Sequence, residues 1–259
     1  MRRACDTVLG VHPGKALLAL AAAAVLAGCA STAPADRPTD AAAVGPGTTA
    51  STTATAGPSG GTVRPWLDLS TYSISDPTSR WVVVNKQRPL SPLTYAPQDL
   101  ASVGGGQVMR ADAAAAFLQM QQAAAAADAP LYAVSGYRSY SYQSSVHDRS
   151  VERNGAAAAD SSARPGYSEH QTGWAVDVGG GGCDVEACFA DTAQGRWVAA
   201  NSWRYGFIVR YPPGQQAITG YEYEPWHLRW VDVPLATYMH DRNIVTLEQV
   251  FGLPPAPSY

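Results

Sequence analysis

The sequence predicts an α+β domain: a small, mostly antiparallel sheet with flanking helices. Three observations point to the fold. Runs at 131–134, 174–178, 207–211 and 225–231 are short and apolar or alternating, which suits strands. Runs at 110–127, 139–154 and 191–204 are long enough for helices, and the first has no breaker. The two kinds are mixed along the chain in the α+β manner.

The first 64 residues read as targeting and tether. Arg2, Arg3 and Lys15 form a positive n-region before the apolar stretch 16–26. Eleven residues are too few to span a bilayer, which takes about 20, but they suit a signal-peptide core. Leu26-Ala27-Gly28-Cys29 then resembles the bacterial lipobox, so 1–28 is expected to be a lipoprotein signal peptide and Cys29 the lipidated residue. Arg2-Arg3 lacks the rest of a twin-arginine signal. Residues 30–64 are Ala, Ser, Thr, Pro and Gly with almost nothing large, too little apolar surface to offset chain entropy. As a flexible tether, 29–64 would reach roughly 30–35 Å. The expected location is the outer face of a bacterial cytoplasmic membrane, lipid-anchored and facing the wall.

The domain is expected over 65–253. Trp81-Val-Val-Val-Asn85 is a short apolar run, and 90–100 is Pro-rich and extended. Residues 110–127 follow as a helix, stopped by Pro130. LYAV at 131–134 reads as a buried strand. Ser139 to Asn154 reads as a helix ended by Gly155, with a loop over 156–168. WAVDV at 174–178 alternates and ends in four glycines. A helix at 191–204, with Gly206 beyond it, precedes the strand FIVRY. PWHLRWV at 225–231 alternates again. Short helices near 235–241 and 246–251 close the domain, and 254–259 is expected as a short disordered tail.

Net charge is −3, and the two lysines, Lys15 and Lys86, belong to no basic cluster. A nucleic-acid binder would show a basic face, so that class is excluded. Nothing in the sequence calls for an oligomer, and a monomer is expected. Cys183 and Cys188, five apart in an exported chain, read as a disulfide closing a small loop. Zinc ligation by this pair would need two further ligands, and none has matching spacing.

Three stretches carry chemistry: Ser168-Glu-His170-Gln-Thr-Gly173-Trp-Ala-Val-Asp177, Glu224-Pro-Trp-His227, and Ser135-Gly-Tyr-Arg138-Ser. Catalytic zinc sites take three His, Asp or Glu ligands and keep a fourth position open. Gly173 lets a loop ligand, His170, meet a strand ligand, Asp177. Ala175 and Asp177 share one strand face. In PWHLRWV, Trp226, Leu228 and Trp230 face one way, while His227 and Arg229 face the other. Three residues from His227 on a regular strand, Glu224 would point away. Pro225 is therefore expected to mark the strand start, with Glu224 turned in from a loop. His147 is expected to be solvated on its helix.

These stretches resemble the VanY-type D-alanyl-D-alanine carboxypeptidase family. SEHQTGWAVD is similar to its Ser-x-His-x-x-Gly-x-Ala-x-Asp signature, EPWH to its Glu-x-Trp-His, and SGYRSYSYQ to its Gly-Tyr-Arg-Ser segment. The resemblance runs from about Trp81 to Trp230. It implies His170, Asp177 and His227 as zinc ligands and Glu224 as general base. It implies Arg138 as a contact to the oxyanion or to a terminal carboxylate, with Ser168 and Gln143 near the substrate. The implied reaction is zinc-dependent removal of the terminal D-Ala from peptidoglycan stem pentapeptides. An L,D-carboxypeptidase, a D,D-dipeptidase or a stem-peptide endopeptidase would need the same site. A non-catalytic wall-binding module would lack Glu224 or a ligand. A serine peptidase would carry Ser-x-x-Lys, which neither lysine completes.

Overall fold

The computed structural model describes residues Leu67–Tyr259. The signal peptide expected over 1–28, Cys29 and the tether of 29–64 lie outside these residues. Among the described residues, no helix is long and apolar enough to cross a membrane.

A hairpin opens the regular structure: β1 (Leu100–Gly104) and β2 (Gln107–Arg110). The sequence pattern does not announce it, because its residues lack a clear two-residue alternation. The chain continues as α1 (Ala111–Ala126), β3 (Tyr132–Ser135) and α2 (Tyr140–Asn154). The Ser139 hydroxyl caps α2 by accepting from the Tyr142 amide. The expected loop at 156–168 contains a short helix, α3 (Ala158–Ser161). Next come β4 (Ala175–Gly179), α4 (Ala193–Asn201), β5 (Phe207–Tyr211) and α5 (Gln216–Thr219). β6 (Glu224–Trp230), α6 (Val233–Asp241) and α7 (Leu247–Val250) complete the domain. The helix expected over 191–204 is shorter, flanked by 3-10 turns.

The main sheet has the order β3-β4-β6-β5 with every neighbouring pair antiparallel. The α+β expectation therefore holds. One sheet face carries Val176, Val178, Leu228 and Phe207, which join Phe117 and Met120 of α1 in the larger apolar core. The other face carries Asp177, His227 and Arg229 on the two central strands, with Ala175 small beside them. Farther along this face, Ile208 joins Trp81, Val83, Val231, Leu235 and Met239 in a second apolar cluster. This second cluster covers the face at the Ile208–Arg229 end.

Glu224 and the tail also depart from expectation. Glu224 does not come from a loop; it is the first residue of β6 and pairs with Tyr211. The ladder slips between Val209 and Tyr211, so that β6 holds two residues more than β5 over this stretch. That irregularity, around Pro225, turns Glu224 onto the face of His227 despite their three-residue spacing. The tail 254–259 is also not a loose end. Ala256 is fully buried, and its amide donates to the Ile218 carbonyl at 2.8 Å.

Candidate metal centre and active site

Asp177 and His227 are register partners across β4 and β6. His170 arrives on a 3-10 turn, Glu169–Thr172, closed by Gly173 in the left-handed conformation (φ 76°). A side chain at that φ would be strained, and its Cβ would press on Arg110 at 2.8 Å. The turn delivers His170 Nε2 to 3.2 Å from Asp177 Oδ2, while His227 Nδ1 lies 3.0 Å from Asp177 Oδ1. The ligand-type atoms of the three residues all lie within 4.8 Å of one another, and all three residues are buried.

Hydrogen bonding selects which ring nitrogens face the cluster. His170 Nδ1 sits 2.8 Å from the Gly136 carbonyl oxygen, an acceptor, so this nitrogen carries the proton. The neutral ring then turns the Nε2 lone pair on the Asp177 carboxylate, and buried Nε2 has no hydrogen-bond partner. Lone pair against lone pair at this distance is repulsive, and a cation between them removes the repulsion. His227 Nε2 points the opposite way, 3.6 Å from Glu169 Oε2. Two imidazoles and one carboxylate are a donor set that suits Zn²⁺ with an open position.

Burial pushes the His170 pKa down to about 4, with Arg138 adding to the effect and Asp177 opposing it. Burial also disfavours charge on His227, but Asp177 and Glu169 outweigh it and push this ring up to about 9. For Asp177, burial is overcome by the two histidines, which hold it well below the usual range. Burial raises Glu224 to about 8, against the pull of His227. These are the directions set by the protein groups alone; a divalent cation among them favours neutral rings and charged carboxylates.

Glu224 Oε2 stands 3.8 Å from His227 Nδ1. Arg138 lies just before the Ser139 cap of α2 rather than on the helix. Its guanidinium donates from Nη1 to Gln143 Oε1 at 3.1 Å and from Nη2 to Asp177 Oδ2 at 3.4 Å. Its Nε is buried without a partner. Gln143 is held in turn by donating to the Ala163 carbonyl at 2.7 Å. With Ser168, these residues line one cleft of about 490 Å³. The structure therefore gathers His170, Asp177, His227, Glu224, Arg138, Gln143 and Ser168 in one place. Cys183 and Cys188 are bonded to each other (Cα–Cα 5.9 Å) in the loop after β4, whose Val185 reaches the cleft rim. His147 is half-buried rather than solvated, 3.2 Å from the Ser162 carbonyl oxygen.

Sequence reasoning missed the charges beneath the cluster. Glu169 Oε1 accepts from Arg210 Nε at 2.8 Å and from Arg229 Nη1 at 2.9 Å. Arg210 also grips Glu248 with both terminal nitrogens, at 3.0 and 2.8 Å. All four side chains are fully buried. Burial would raise the Glu169 pKa, but the two arginines hold it below the usual carboxylate range. One signal was available: Arg229 shares a strand face with His227, so it had to enter the same polar layer.

Comparison with known proteins agrees with this geometry. Residues 106–233 match the family VanY: D-alanyl-D-alanine carboxypeptidase. YodJ of Bacillus subtilis (strain 168), named as a carboxypeptidase, is 41% identical over 191 residues, 69% of either chain. The solved structure of the LdcB LD-carboxypeptidase is 40% identical with a TM-score of 0.63, over 68% of this chain and 87% of that one. A vancomycin-resistance D,D-pentapeptidase VanY, solved in complex with Zn(II), is 31% identical with a TM-score of 0.58, over 66% and 97%. The fold and the matches define a peptidase of the carboxypeptidase class. The chain belongs to the VanY D-alanyl-D-alanine carboxypeptidase family.

Proposed function

We propose that this protein is a zinc-dependent carboxypeptidase that removes the terminal D-Ala from peptidoglycan stem pentapeptides. The observation that carries it is the facing pair Asp177 and His227, joined by His170 and flanked by Glu224 and Arg138 in one cleft. His170 Nε2, Asp177 and His227 Nδ1 would hold the zinc. When bound, zinc supplies Lewis acidity that brings a coordinated water to a pKa of about 7. Glu224 takes the proton of the attacking water and passes it to the leaving amine. Arg138, braced by Gln143, offers fixed positive charge to the oxyanion or to the substrate's terminal carboxylate. Ser168 lines the same wall. The relatives include proteins named for either D,D- or L,D-cleavage, so product identity is the discriminating measurement.

The test is product analysis on pentapeptide and tetrapeptide stems, with and without chelator. Release of D-Ala from pentapeptide alone supports the D,D reading. Release from tetrapeptide alone would shift it to L,D-cleavage, and internal cleavage would reject a carboxypeptidase. Glu224→Ala is expected to keep its zinc by metal analysis and to lose about 10²–10⁴-fold in kcat. Full activity in that variant would remove Glu224 from the role. We also propose attachment to the outer face of a bacterial membrane through Cys29, supported by the lipobox-like LAGC. Cys29→Ser should move the protein from the membrane fraction to the soluble one.

A further inference from the structure

The cleft extends well beyond the metal cluster. One face of α2 forms its floor: Gln143, Val146, Ser150 and Arg153 recur at helical spacing and all line it. From Gln143, beside Arg138, to Arg153 is ten residues, or about 15 Å along the helix. An extended peptide advances about 3.3–3.6 Å per residue, so this length takes up roughly four residues. A substrate with its reacting end at Arg138 would run its preceding residues along this floor toward Arg153.

The outer half of the cleft differs chemically from the inner half. The acids Glu169, Asp177 and Glu224 all sit at the inner end, and the inner cation, Arg138, is engaged by Gln143 and Asp177. Arg153 is the other arginine lining the cleft; it is exposed, and its side chain has no hydrogen bond, ion pair or ring contact among the described residues. Ser162 also lines the cleft; its carbonyl oxygen lies 3.2 Å from His147, between Gln143 and Arg153 on α2, and its hydroxyl is buried without a partner. An exposed guanidinium with no protein partner and an unsatisfied buried hydroxyl, both lining one cleft, suit an anionic acceptor.

We infer that the outer end of the cleft is a subsite for a carboxylate on the stem peptide, two to three residues before the bond that is cut, bound by Arg153 and Ser162. The inference rests on the proposed stem-peptide substrate. Two groups of a stem peptide could supply this carboxylate: the free α-carboxylate of a γ-linked D-glutamate, or the side-chain carboxylate of a diamino acid at the third position.

The experiment measures Kd for pentapeptides on full-length, zinc-loaded protein with Glu224→Ala, which prevents turnover. The probes are a peptide with both carboxylates, one with the glutamate amidated, one with lysine at position three, and one with both changes. The expected result is at least tenfold tighter binding of one carboxylate form than of its neutral counterpart. Arg153→Ala should shrink that ratio toward one, and Arg153→Glu should invert it. Arg149→Ala, one turn earlier on α2 and outside the cleft, should keep it. The peptide whose change abolishes the preference identifies the source. Equal Kd for all four peptides, or a preference untouched by Arg153→Ala, would overturn the subsite while leaving the substrate reading in place. No binding of any peptide would overturn both.

Discussion

Glu169 holds three neighbours from one buried position: Arg210, Arg229 and, on its other oxygen, the His227 ring. Glu169→Gln keeps the shape but leaves two buried guanidiniums short of one negative charge. Breaking a buried ion network from one side costs about 3–5 kcal/mol, and urea unfolding should show a loss of that order. At the far end of the network, burial alone would raise Glu248, but Arg210 lowers it below its ordinary 4.5. Its unfolded form therefore takes up protons before the folded form does. The stability it contributes is fully present above about pH 4.5 and drains away as pH falls through the lower folded value. Glu248→Gln should flatten the decline of the urea midpoint below about pH 4.5; an unchanged slope would assign the acid sensitivity elsewhere. The ligand-type residues were legible in the sequence because their motif spacing is specific. Glu169 and Glu248 were not, because a carboxylate's partners 38 to 60 residues away leave no local pattern.

Among the elements, the strand faces of β4 and β6 could be read directly, since alternation puts Val176 with Leu228 on one side and Asp177 with His227 on the other. The slip in the β5–β6 ladder could not, because pairing register is a property of two strands rather than one. The β1–β2 hairpin matters to the site through one backbone contact. Gly136 packs so closely on β2 that a Cβ there would collide with the Val108 carbonyl oxygen. The Gly136 carbonyl is also the acceptor that fixes His170. Gly136→Ala should therefore displace this support, and loss of such outer contacts typically weakens metal affinity 10–100-fold. Competition with a chromophoric chelator would measure it; wild-type zinc affinity in the variant would mean that His170 does not depend on this contact.

For the whole molecule, the C-terminal residues brace the wall of the cleft. The last residues lie over Lys86, whose Nζ donates to the Pro257 carbonyl at 3.3 Å. Tyr259 meets Tyr167 edge-to-face, accepts from the Arg164 amide at 2.8 Å, and lies 3.3 Å from the Tyr221 hydroxyl. Tyr221 lines the cleft, so the tail buttresses its wall. Deleting 254–259 should cost about 2–4 kcal/mol, from several hydrogen bonds at about 1 kcal/mol each plus lost packing. KM should rise more than kcat falls. The sequence hid this because Pro-rich, polar tails carry no periodicity; only the pocket that receives them reveals their place.

The facing of Asp177 and His227 across the two central strands has a thermodynamic corollary. An ion held between them ties β4 to β6, and through His170 it ties both to the turn before β4. Catalyst and clasp would then be the same atom. The folded population would track free zinc, gaining about 2.7 kcal/mol when zinc stands at 100 times its Kd. Calorimetry should show Tm climbing with added zinc and dropping with chelator in wild type, but not in Asp177→Ala. A cell short of zinc would then lose this protein to unfolding as well as to inactivity.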